Sequence, residues 1–156
     1  MAHSSGLTWL NASIFSMNET QLRSAFPSLK SIRSSKIGVG GLRGKWTSFD
    51  VEFAGHAFKS VFYVKNGTVK RIEHVWIGLN ASCTASGVFD EVVSELNSQL
   101  GPFDISDSGF GERSGQRSAV WTPDGTDLIV YLQDSADQCE VRVVNKPRVI
   151  KDASEL

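Results

Sequence analysis

The sequence predicts an α+β protein of two tandem repeats, each a helix followed by a three-stranded antiparallel sheet, sharing one core. Three observations lead there. Two amphipathic segments superpose at a shift of 74 residues, where Phe15, Leu22 and Phe26 match Phe89, Leu96 and Leu100. Trp46-Thr47 matches Trp121-Thr122 at a shift of 75, and Val61-Phe62-Tyr63-Val64 matches Ile129-Val130-Tyr131-Leu132 at 68. Each match is followed by a turn and a further strand, so order repeats as well as residue type.

The elements follow in order. Residues 1–13 read as a tag or an unordered N-terminus, and the first repeat occupies 14–80. Its helix runs from Met17 to Phe26, opened by Ser16 as cap and stopped by Pro27. Ser31 to Gly44 is rich in Ser, Gly and Lys and reads as a mobile surface linker. Phe49, Val51 and Phe53 then alternate as one strand face, and Asn66-Gly67 joins the Tyr63 strand to a last strand, Val69 to Ile77. The second repeat occupies 81–147. Its helix is Val88 to Leu100, ended by Gly101-Pro102, and Asp104 to Gln116 is its linker. Leu128, Val130 and Leu132 share a face, as do Cys139, Val141 and Val143 beyond the turn at Asp134 to Asp137. Residues 148–156 form a polar tail.

Composition excludes several classes. The 156 residues carry 16 basic and 17 acidic side chains, a net charge of −1, which argues against a nucleic-acid binder or a polybasic membrane-surface protein. Four Trp and nine Phe are too many for a disordered chain. No apolar run reaches the roughly 18 residues of a transmembrane helix. The expectation is a periplasmic or secreted protein whose signal peptide is already removed, with the cytoplasm as the alternative.

Cys83 lies just before the second helix, and Cys139 begins the strand expected beneath it. A disulfide between them would close a loop of about 57 residues, worth about 3–4 kcal/mol by chain entropy. Two buried free thiols are the alternative.

Catalytic motifs are sparse. Gly111 to Gly115 misses the spacing of a nucleophile elbow. Gly38, Gly40, Gly41 and Gly44 miss the dinucleotide spacing and precede a strand. His56 stands at a turn, and Glu73 and His74 are strand neighbours that point to opposite faces. Asp124 to Asp127 reads as a type I turn and not a calcium loop. The sequons at Asn11, Asn18, Asn66 and Asn80 are what a Ser-rich chain produces by coincidence. No catalytic residue, metal ligand or cofactor is assigned. The aromatics are more informative. Tyr63, His74, Trp76, Trp121 and Tyr131 are candidates for a binding surface on the open side of the sheet, or for a core between the two repeats.

These residues also carry a resemblance. Ser16-Met17, Leu22 and Phe26-Pro27, echoed by Leu96 and Leu100-Gly101-Pro102, set in two copies of about 75 residues, resemble the β-lactamase-inhibitor protein fold. They are similar too to the single-copy outer-membrane assembly lipoproteins, and the general look is similar to exported proteobacterial proteins. The resemblance implies a non-enzymatic protein that binds another protein. The chain departs from it in lacking a lipid-attachment cysteine near its start and in having one candidate disulfide where the inhibitor has one per copy.

The functional expectation is therefore an exported bacterial protein that binds another protein, as inhibitor, immunity protein or envelope scaffold, through its sheet face and loops. The alternative is a carrier of small apolar ligands, with a pocket between helix and sheet lined by Phe49, Phe53 and Phe62.

Overall fold

A computed structural model describes residues 4–5, 11–79, 87–103, 105–106, 116–123, 125–134 and 138–148. Its strands are β1 (Ser4–Ser5), β2 (Lys30–Ile37), β3 (Arg43–Phe53), β4 (His56–Lys65), β5 (Thr68–Leu79), β6 (Ile105–Ser106), β7 (Gln116–Trp121), β8 (Thr126–Asp134) and β9 (Gln138–Pro147). Among the described residues they form one sheet in the order β1-β3-β4-β5-β9-β8-β7-β6, with β2 also on β3. Every pairing is antiparallel except β1 with β3. Two helices, α1 (Glu19–Ala25) and α2 (Val88–Leu100), and a 3-10 turn at Ala12–Ser16 cover one face.

Two helix-plus-three-strand repeats are therefore not what forms. A single, mostly antiparallel sheet dominates, and β5 pairs with β9 from Ile72↔Asn145 to Leu79↔Gln138, so no seam divides it. Among the described residues the first half contributes five strands and the second four. The strand β2, Lys30–Ile37, takes up the first half of the linker expected over Ser31 to Gly44. It is an edge strand, and an edge needs only backbone hydrogen bonds from its residues, so exposed Lys30, Ser31 and Arg33 suit it as well as apolar ones would. Most of the second linker lies outside the described residues, but Ile105–Ser106 pairs with Val120 and Ala119. Ser4–Ser5, in the stretch expected to be unordered, pairs with Val51 and Glu52.

The first helix is also shorter than expected. Asn18, not Ser16, caps it: the Asn18 side chain accepts from the Gln21 amide at 2.8 Å, and the Gln21 side chain accepts from the Asn18 amide at 2.9 Å. This reciprocal box starts the helix two residues late. Phe15 and Ile14 are buried from the preceding 3-10 turn instead. By contrast, α2 runs from Val88 to Leu100, with Asp90 and Glu91 at its positive end and Gly101 after its last residue. Gly101 has φ +85°, open to glycine at little cost.

Burial of the helix stripe fixes which sheet face is the core. Leu22, Val88, Phe89, Val92 and Leu96 pack on Phe53, Phe58, Phe62, Ile72, Val130 and Val141. Two indoles pin the helices. Trp46 Nε1 donates to Glu19 Oε1 of α1 at 2.9 Å, under the Arg23 guanidinium 5.1 Å from its ring. Trp121 Nε1 donates to the Gly101 carbonyl at 3.0 Å, at the end of α2. The hairpin turn Ala54-Gly55 is held to α2 as well, because the Ala54 amide donates to Glu95 Oε2 and His56 Nε2 lies 2.5 Å from Glu91 Oε2.

One expected face breaks. Phe49, Val51 and Phe53 do not share a side, because the β3–β4 register shifts between Ser48 and Val51. A bulge adds one residue, and one residue reverses every side chain before it. Val51 and Phe53 stay in the core while Phe49 turns to the opposite face.

Candidate functional site

The second face of the sheet carries no helix among the described residues, and register determines what stands on it. One row across the strands is Lys59, Val75, Arg142, Tyr131 and Ser118. The next is Val61, Glu73, Val144, Ile129 and Val120. A third sets Ile77 beside Glu140 and Gln133. Strand alternation therefore builds a mixed face, charged at its centre. Val61 and Val144 of the second row are themselves buried, and the exposed apolar side chains stand outside that row.

Three large apolar side chains stand exposed on it. Phe49 is 56% exposed, Ile77 49% and Tyr131 41%. Phe49 and Ile77 line a common groove of about 370 Å³ with Ala57, Lys59, Val75 and Trp76. Lys59 Nζ sits 5.7 Å from the Phe49 ring centroid, a cation over an aromatic face.

The charged centre is a chain of four. Arg71 Nε lies 2.6 Å from Glu73 Oε2, Arg142 Nη1 2.5 Å from Glu73 Oε1, and Arg142 Nε 3.3 Å from Glu140 Oε2. Glu73 is largely enclosed by the two guanidinium groups. Beside them, the Tyr63 hydroxyl is pushed above its ordinary pKa by burial first and by the Glu73 carboxylate second, with both arginines opposing. Tyr63 is thus a neutral phenol throughout the physiological range.

Sequence reading groups five candidates, and the fold separates them. Tyr63 and Tyr131 stand on the open face. His74 and Trp121 lie on the helix-covered face, 0% and 2% exposed, where no partner reaches them. Trp76 shares that face at the sheet margin, half-buried, with His56 6.1 Å from its ring and Gly78 directly beneath. A Cβ on Gly78 would come within 2.6 Å of the Trp76 ring, so glycine is what lets that indole lie flat. Phe49 was assigned to the carrier pocket and not to this face, and Ile77 and the Arg71–Glu73–Arg142–Glu140 chain were missed. A signal for the chain existed: Arg71 and Glu73, like Glu140 and Arg142, are two apart in strands, so each pair shares a face.

His74 is sealed. Its Nδ1 is 2.5 Å from Ser60 Oγ, its Nε2 has no hydrogen-bond partner, and Phe53 packs edge-on at 5.1 Å. Burial lowers its pKa to about 3, so the imidazole is neutral at pH 7. The Ser60–His74 pair has the atoms of a nucleophile and base but no access for a substrate, both residues being 0% exposed. Among the described residues no three His, Cys, Asp or Glu gather as metal donors.

The proposed carrier lining is split likewise. Phe53 and Phe62 are in the packed core, and Phe49 faces away from them. Cys139 is buried at the head of β9, opposite Gly78. Cys83, its expected partner, lies outside the described residues, and so does their pairing. No helix is long and apolar enough to cross a membrane among the described residues. No protein-family model, curated protein or solved structure matches the chain.

Proposed function

We propose that this chain is a non-enzymatic exported bacterial protein that binds another protein through the open face of its sheet. The observation that carries the reading is the exposure of Phe49, Ile77 and Tyr131 on the one face that α1 and α2 leave bare. Three large apolar side chains on one solvated face, rimmed by Lys59, Arg142 and Glu140, have the composition of an interface: aromatic anchors within a polar rim. The ion-paired chain beneath holds the arginine side chains in place before a partner arrives, which lowers the ordering cost of binding. Inhibitor, immunity protein and envelope scaffold all fit this surface.

The test is affinity capture from a periplasmic extract with the wild-type chain and with Phe49→Ser/Ile77→Ser/Tyr131→Ser. Substitutions at such exposed sites shift stability by about 0.5 kcal/mol each, so both proteins stay folded. A protein retained by the wild type and lost with the triple variant is the expected result. The same set of proteins retained by both contradicts the reading.

Export carries its own expectation. A thiol count on the unreduced, denatured protein should give no reactive thiol, and reduction should release two, from Cys83 and Cys139. Two thiols before reduction would contradict both the disulfide and the exported compartment.

A further inference from the structure

Net charge hides a segregation that the sheet makes visible. The ends of β3, β4, β5 and β9 that meet at one edge of the molecule bring together Arg43, Lys45, Lys65, Lys70, Arg71 and Lys146. Register places them on both sides of this edge. Arg71, opposite Tyr63, shares the open face with Lys65 and Lys146. Arg43 instead opposes the core-facing Val64, and Lys45 pairs with Glu19 on the helix side. The carboxylates at this end are mostly engaged: Glu19 by Lys45 at 3.7 Å, Glu73 by Arg71, and Asp127 by Arg148 at 3.1 Å. Among the described residues, Arg43, Lys70 and Lys146 have no carboxylate partner. The opposite strand ends carry Asp50, Glu52, Asp134 and Glu140 instead, with Glu91 and Glu95 of α2 over the β3–β4 turn.

Two clefts open within the cationic end. Lys70, Arg71 and Lys146 surround one of about 260 Å³ whose walls include Leu42 and Pro147. Arg43, Lys45 and Lys65 surround another of about 260 Å³ beside the Asn66-Gly67 turn. Arg71, Lys146 and Tyr63 also belong to the open face, so the cationic end continues the surface already described.

We infer that this end docks an acidic polypeptide segment, so that the partner presents clustered Asp and Glu to Arg43, Lys45, Lys65, Lys70 and Lys146. The inference rests on the protein-binding reading and supplies the chemistry of the partner. Lys65, Arg71 and Lys146 stand on three neighbouring strands of the open face. They span about 10 Å at about 4.8 Å per strand, the reach of about three extended residues, with Arg43 and Lys45 round the edge from them. Leu42 and Pro147 give the first cleft an apolar wall for the stem of a glutamate or its neighbour. A nucleic acid fits less well, because among the described residues this end offers no exposed ring to stack on: Tyr63 is half-buried and Trp46 lies under Arg23. The acidic opposite end would also repel a polyanion long enough to span the molecule.

The experiment is an amide NMR titration of the full chain with synthetic octaglutamate in about 0.1 M salt. Saturable shifts are expected at residues 43–45, 65–71 and 146–148. Binding should be about tenfold weaker in Lys70→Glu/Lys146→Glu, whose spectrum reports its own folding. It should fade in about 1 M salt, where the Debye length falls from about 10 Å to about 3 Å. Phe49→Ser/Ile77→Ser should bind octaglutamate as the wild type does, which separates this surface from the apolar patch and from the capture result. No saturable shift, equal binding by the charge-reversed variant, or equal or stronger shifts from inorganic phosphate or octathymidylate would overturn the inference.

Discussion

Trp121→Ala is expected to lose about 3–5 kcal/mol of stability, the largest effect of any substitution named for this chain. Among the described residues Trp121 is the largest side chain that is fully buried, and it closes the end of the core where α2 stops. Its indole donates to the Gly101 carbonyl at 3.0 Å and approaches Asn97 Oδ1 at 3.3 Å, while the Phe103 ring meets it edge-on at 6.1 Å. Truncation removes the packed area, leaves a cavity, and strips a partner from a carbonyl at the helix end. Trp121→Phe keeps most of the area and loses only the donor, so it should cost much less. Urea midpoints followed by circular dichroism would show the order wild type, Phe, Ala. An alanine variant within 1 kcal/mol of the wild type, on the order of an ordinary surface change, would contradict the core assignment.

The second large effect depends on pH. His74 has its pKa lowered from 6.5 to about 3 by burial, so between those values the unfolded chain binds a proton that the folded chain refuses. Stability from this residue is complete above pH 6.5 and falls as pH drops toward 3, at a rate approaching 1.4 kcal/mol per pH unit, roughly one proton's worth. Other groups titrate in the same window, so the informative measurement is a difference. Unfolding free energies of the wild type and of Ser60→Ala/His74→Leu, taken from pH 7 to pH 4, should diverge, with the variant flatter by up to one proton. Removing both members also removes the unpartnered Nε2, so the variant should be as stable as the wild type or more so at pH 7. Ser60→Ala alone leaves both ring nitrogens of His74 unpaired, and should cost about 1–3 kcal/mol. Parallel pH profiles for wild type and double variant would show that His74 is not sealed.

Much of the local structure was legible and the architecture was not. The alternation of Leu128, Val130 and Leu132, the Asn66-Gly67 turn and the α2 stripe with its Gly101 stop each follow from short-range rules, and each is present. Trp46 and Trp121 matched because both indoles bond to a helix, but matched residues do not make a matched unit. Edge strand β2 was hidden by its polar composition. The bulge at Ser48–Val51 was hidden because one inserted residue leaves no mark in an alternation that looks continuous across Phe49, Val51 and Phe53.

The candidate face failed for a related reason. Both sides of β5 carry apolar residues, Ile72 and Trp76 on one and Val75 and Ile77 on the other, so hydrophobicity could not orient the strand. Charge could: Arg71 and Glu73 share a side with Val75 and Ile77, and two ions in adjacent alternating positions mark the wet face. His74 misled in the opposite sense, as a polar residue sealed in the core beside Ser60. The cationic end was invisible to a net charge of −1, because segregation is a property of strand ends and not of composition.

Hydroxyl-radical footprinting tests the one-sided sheet most directly, because it reads side-chain exposure residue by residue. Phe49, Ile77 and Tyr131 should be oxidised rapidly in the native protein, while Phe62, His74 and Trp121 should stay protected until it unfolds. Protection of Phe49 and Tyr131 together with rapid oxidation of Trp121 would contradict the assignment of the open face, and with it the binding surface built upon it.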